Sequence, residues 1–134
     1  MAGRYGMSFA AKLIQEGKYA EAIEEAARAV ARDDEDPAAL VDRANAYALL
    51  ERYPEAVRDL EAALALDETA GVLETDLVDD AYFSALLGAA KAEARTSMDA
   101  AERTLARYKT VLPGGRHLQD AVEWPDRLRG ASGG

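Results

Sequence analysis

Shifted against itself by 34 residues, the chain repeats: Ala10 falls on Ala44, Tyr19 on Tyr53, Glu21 on Glu55, Ala22 on Ala56, Ala29 on Ala63 and Ala31 on Ala65. Conservative matches join them, Leu13 with Tyr47, Ile23 with Val57 and Val30 with Leu64. With 30 alanines among 134 residues, alanine identities alone say little. The block Tyr19-Ala20-Glu21-Ala22-Ile23 against Tyr53-Pro54-Glu55-Ala56-Val57 carries the repeat. A period of this length restricts the architecture to stacked supersecondary units, each burying its apolar face against the next.

Each unit reads as two helices. Phe9, Leu13 and Ile14 stand at helical spacing before Gly17, a helix-ending residue. Tyr19, Ala22, Ile23, Ala26, Ala27 and Val30 then form a second stripe, with Glu21, Glu24, Glu25, Arg28 and Arg32 mostly opposite. Asp36-Pro37 opens the next unit, the aspartate as N-cap and the proline in the first helical turn. Leu40, Ala44, Tyr47 and Ala48 carry the third helix, and Pro54 starts a fourth through Val57, Leu60, Ala63 and Leu64. Short loops make neighbouring helices antiparallel. Recurrent alanines let the backbones approach where a leucine would hold them apart, with Ala10/Ala44, Ala22/Ala56 and Ala29/Ala63 as the contact points.

These features resemble the tetratricopeptide repeat: the period, the small residue of the first helix (Ala10, Ala44), the aromatic after the turn (Tyr19, Tyr53) and the alanines of the second helix. The resemblance implies an all-α fold, an antiparallel helix-hairpin solenoid of about three units with a C-terminal capping helix. Units at 3–36 and 37–70 fit without gaps, and a divergent third at 81–114 follows an insertion at 71–80. In the third, Leu87-Gly88 matches the first helix, and the second helix has two registers. One places Ala100 at the small position; the other, slipped by one, buries Ala101, Leu105 and Tyr108. The chain departs from the family pattern at Arg43 in place of leucine, at Gly6 and Leu40 in place of tryptophan, and at Arg107 in place of a small residue. Past Pro113-Gly114-Gly115, the stripe Leu118, Ala121, Val122 marks a capping helix within 116–129, anchored by Trp124 and stopped at Pro125. Residues 130–134 read as a flexible tail, and the whole chain as one domain.

In this family the first helices of the pairs line a concave face. The resemblance places Met7, Ala11 and Ile14 there from the first unit, Val41, Asn45 and Ala48 from the second, and Tyr82, Ala85, Ala89 and Ala92 from the third. That lining is small and apolar, suited to an extended peptide or to the apolar face of a partner's amphipathic helix. The same side chains also suit helix contacts inside a core, and both readings stay open at this level. The family's clamp for a C-terminal carboxylate needs bases where Met7 and Leu86 stand, so acidic chaperone tails are disfavoured despite the matching Asn45.

Charge and composition narrow the chemistry. Sixteen basic and 25 acidic side chains give −9, a field that repels phosphate backbones and anionic lipid, so neither nucleic acid nor membrane is an expected partner. There is no cysteine and one histidine, His117, which removes thiolate metal sites and thiol nucleophiles. Asp33-Asp34-Glu35-Asp36 lacks the ligand spacing of a calcium loop and reads as a solvated turn with an N-cap. Asp76, Asp79 and Asp80 read as a helix N-terminus. His117 with Asp120 reads as an exposed pair with no serine elbow beside it. No catalytic residue, metal ligand or cofactor site is expected, and neither a spanning segment nor a signal peptide is seen. The expectation is a cytoplasmic, non-enzymatic scaffold or adaptor, monomeric or weakly self-associating, that binds another protein. Its alternatives are a self-assembling structural module and a secretion-type chaperone holding an apolar cargo segment.

Overall fold

The structure, a computed structural model, describes residues 8–133. Its described residues are all-α, with seven helices: α1 Phe9–Gln15, α2 Tyr19–Arg32, α3 Pro37–Leu49, α4 Tyr53–Ala70, α5 Thr75–Glu93, α6 Met98–Val111 and α7 Leu118–Gly133. They group into two compact units that divide after Leu73, within the stretch expected as an insertion.

In the first unit, the helix ends follow from short-range chemistry. Ser8 caps α1, its hydroxyl accepting from the Ala11 amide at 3.0 Å. Asp36 caps α3 by accepting from Ala38 at 3.0 Å, with Pro37 in the first turn as its fixed φ allows. The neighbouring Asp33 carboxylate accepts from the Glu35 amide, so the acidic run at 33–36 is a turn. α1 closes on a left-handed Gly17 at φ 79°, with Gly17 donating to Ile14 and Lys18 to Leu13. α3 closes in the same way one repeat later, on Glu51 at φ 59°, with Glu51 donating to Ala48 and Arg52 to Tyr47.

Packing runs through alanine. α2 lies against α1 and α3, α3 against α4, and α1 also against α3. Ala22, Ala44, Ala46, Ala56 and Ala63 are completely buried, and Ala10 nearly so; Ala29 is half-buried. Leu13, Ala22 and Ala46 form a cluster with Ile14 and Ile23 packed on it. Extra methylenes at such crossing points cost about 1–3 kcal/mol each in forced rotamers and backbone shifts.

The second unit is built differently. α4 runs to Ala70 and stops at left-handed Gly71, while α5 already begins at Thr75. Most of the stretch expected at 71–80 is therefore helix, and only a short connection remains. The Asp67 carboxylate holds that connection by accepting from Val72 and Leu73 at 2.7 and 3.1 Å. α6 is capped by Ser97 and buries Ala101, Leu105 and Tyr108, the slipped register. α7 packs on α6 and α5. It does not stop at Pro125 but continues to Gly133, through the tail expected at 130–134. Proline removes one amide donor and crowds one carbonyl, and packing on both sides of it outweighs that. Ala121 and Leu128 are the buried residues of α7, whereas Val122 of the expected stripe is 59% exposed. Trp124 is half-buried under the Lys91 ammonium (5.0 Å to the ring centroid) and the Arg127 guanidinium (5.2 Å).

Candidate interaction face

Ser8 and Asp42 occupy the same position of successive repeats, and the Ser8 hydroxyl donates to Asp42 Oδ2 at 2.7 Å. This bond ties the N-cap of α1 to α3. By the same shift Ala11 pairs with Asn45 and Ile14 with Ala48, and all four are half-buried, as is Val41. These five expected residues share the paired first helices of the first unit. Ile14 packs on the Leu13–Ala22–Ala46 cluster. Met7 lies outside the described residues.

Asp42 brings a carboxylate to these helices, in a unit that is acidic as a whole. Burial raises the Asp42 carboxyl above its ordinary value, the Ser8 bond pulls it back, and Asp36 pushes it up further. The unit up to Leu73 holds eight basic and fifteen acidic side chains, net −7. Arg43, the residue standing where leucine was expected, is committed elsewhere. Its guanidinium makes a two-pronged bond to Asp59 of α4, Nε to Oδ2 at 2.8 Å and Nη2 to Oδ1 at 2.9 Å. Asp59 is buried at 3% exposure, and the pairing raises Arg43 further above its ordinary value. Arg43 is thus consumed in an ion pair within the unit.

The expected residues of the third repeat are placed otherwise. Tyr82, Ala85 and Ala89 are buried at 0, 1 and 7% exposure, so they are core rather than accessible lining; Ala92 is exposed. The stripe Tyr82–Ala85–Ala89 lies on a helix covered by α6 and α7. Tyr82 itself stacks on Tyr108, with ring centroids 6.1 Å apart.

Tyr108 is the hub of a polar knot that local sequence pattern did not reveal. Its hydroxyl donates to the buried Asp79 carboxylate and accepts from the His117 amide at 2.9 Å. Asp79 accepts a second bond, from the Arg116 amide at 3.0 Å. The His117 ring stacks on Phe83 at 4.7 Å, with Nε2 2.6 Å from Asp80 and Nδ1 3.6 Å from Asp120. His117 is therefore enclosed on most sides, a correction to its expected exposure. Asp79 and Asp80 are more than helix-start charges. Burial, with the Asp79 bond, pushes the Tyr108 phenol up to about 12. The knot ties the start of α5 to the end of α6 and the approach to α7. Its tyrosine is sealed from solvent and cannot reach a substrate.

A cleft of about 340 Å³ lies between α6 and α7, floored by Leu105, Ala106, Ala121, Val122 and Pro125 and rimmed by Glu102, Lys109, Asp126 and Arg129. None of the expected residues lines it. Arg129 pairs with Glu102 and Asp126 across the rim. Among the described residues no cluster of three or more His, Asp or Glu side chains is arranged to hold a metal ion. No described helix is long and apolar enough to cross a membrane.

Residues 37–70 match the family model of the tetratricopeptide repeat. No curated protein matches the chain. Among solved structures, the NMR structure of the second tetratricopeptide domain of human RPAP3, in complex with the HSP70 peptide SGPTIEEVD, is similar in fold, with a TM-score of 0.58. The two are 22% identical, over 87% of this chain and 88% of that one.

Proposed function

We propose, from the premise that this chain is a tetratricopeptide-repeat protein, that it is a non-enzymatic interaction module holding a segment of another protein on the face shared by α1 and α3. The observation that carries this reading is the Ser8–Asp42 bond. Beside it Ala11, Ile14, Val41, Asn45 and Ala48 are all half-buried, and we read them with Asp42 as one strip of small and apolar side chains with two polar members. Such a strip can bury the side chains of an extended peptide or a helix face while its polar members set orientation. That the RPAP3 domain holds a peptide supports a protein segment as the ligand class. The knot around Tyr108 supports rigidity rather than catalysis, because its groups are already bonded to one another.

The test is selection from a phage-displayed library of peptides on the intact chain, followed by Val41→Glu. Selected peptides bind the native protein, and Val41→Glu abolishes their binding while the circular dichroism spectrum is unchanged. Peptides that bind the folded Val41→Glu variant equally well would remove this face from the reading. Ala89→Glu makes a useful contrast: at a buried position it unfolds the protein rather than selectively blocking binding.

Self-assembly is a second reading, favoured by large apolar side chains left exposed in both units, Phe9 at 60% and Val122 at 59% among them. Light scattering over a hundredfold range of concentration separates the two, since a constant monomer mass excludes it.

A further inference from the structure

We propose that the α1–α3 face takes a segment bearing a lysine or arginine among apolar side chains, and that Asp42 and Asn45 seat the cation. This deepens the reading given under Proposed function and rests on it. Asp42 is half-buried and has one hydrogen-bond donor, the Ser8 hydroxyl on Oδ2; among the described residues no lysine or arginine pairs with it. The adjacent cation in the sequence, Arg43, is held by Asp59. Among the described residues this carboxylate has lost hydration without gaining a counter-charge, and it also feels Asp36. A cation from a partner supplies the missing charge.

Asn45, one turn further along the same helix, makes no side-chain hydrogen bond among the described residues. Its amide oxygen is an acceptor for a second N–H of the same ammonium or guanidinium group. The flanking Ala11, Ile14, Val41 and Ala48 accommodate the aliphatic stem of a lysine or arginine, which buries its methylenes while the head meets the carboxylate. At longer range the net charge of −7 on this unit draws in basic segments and repels acidic tails. The charge preference is thus opposite to that of a site built for a peptide such as SGPTIEEVD, with its three acidic side chains and terminal carboxylate.

The experiment pans a phage-displayed library of 12-residue peptides on the full chain in three forms, native, Asp42→Asn and Asp42→Lys. Dissociation constants of the selected peptides are then measured by fluorescence anisotropy, with Val41→Glu as a control. The native protein is expected to enrich lysine or arginine flanked by apolar residues. Asp42→Asn keeps an acceptor for Ser8 and weakens those peptides about tenfold, and Asp42→Lys shifts enrichment toward aspartate and glutamate. Enrichment of acidic residues by the native protein overturns the charge assignment, as does equal affinity for Asp42→Asn, while sensitivity to Val41→Glu would leave the docking face standing. No enrichment at all, or enrichment indifferent to Val41→Glu, overturns the docking face itself and this proposal with it.

Discussion

Gly17 and Glu51, 34 residues apart, occupy the same left-handed turn, at φ 79° and 59°, with the same pair of backbone hydrogen bonds closing the helix before each. The repeat is therefore copied in backbone geometry where the side chains differ. A glutamate in this conformation carries the clash of its Cβ with the backbone, a cost of about 1 kcal/mol or somewhat more. Glu51→Gly is expected to raise stability by about 1 kcal/mol and the melting temperature by a few degrees, the gain reduced by glycine's greater freedom when unfolded. Gly17→Ala should lower stability by a similar amount through backbone strain alone, since a Cβ there meets nothing within 4 Å. Thermal melts followed by circular dichroism check both.

Arg43 and the buried Asp59 make a two-pronged, part-buried ion pair between α3 and α4. Removing one partner leaves the other charge stranded, so Arg43→Leu is expected to cost about 3 kcal/mol. The double variant Arg43→Leu/Asp59→Leu puts an apolar contact in place of the pair, and should return to within about 1 kcal/mol of the native chain. Urea denaturation of the four members of this cycle measures the coupling.

How much of this was legible in the sequence depended on distance along the chain. The Asp36 cap and the Pro37 start rest on neighbours within two residues, and the buried alanines on the repeat itself, with half-buried Ala29 as the exception. Arg43 stood out as a departure, but its partner lies 16 residues away on another helix, and no local pattern announces it. Nothing in a glutamate signals a left-handed turn; only its register with Gly17 does. The burial of Tyr82, Ala85 and Ala89 is not legible in the sequence, because an alanine-rich stripe looks alike whether a ligand or the next helix covers it. Pro125 misled for a related reason, its local penalty being outweighed by tertiary packing.

The knot around Tyr108 joins residues 29 and 37 positions apart and gives stability a pH signature. Burial and the Asp79 bond favour the neutral phenol in the folded state, raising it to about 12 from an ordinary 10. Its contribution is fully present below pH 10 and is lost as pH rises toward 12, a change on the order of 3 kcal/mol. Stability measured from pH 8 to 12 should fall more steeply in the native protein than in Tyr108→Phe. The phenylalanine variant is itself less stable at pH 8 by about 1–3 kcal/mol, because Asp79 and the His117 amide lose a partner.

Gly115 lies against the same hydroxyl, and a Cβ there would overlap it. Gly115→Ala is expected to displace Tyr108 from Asp79 and to reproduce the loss seen in Tyr108→Phe. Substituting Gly114, where a Cβ meets nothing within 4 Å, should be nearly silent in the same denaturation assay.

The docking of a protein segment on α1 and α3 is tested most directly by amide chemical shifts in the intact chain, titrated with a peptide selected on it. The account predicts that the largest shifts fall on Ala11, Ile14, Val41, Asn45 and Ala48. Shifts confined to Leu105, Ala121 and Val122, in the cleft between α6 and α7, would contradict it.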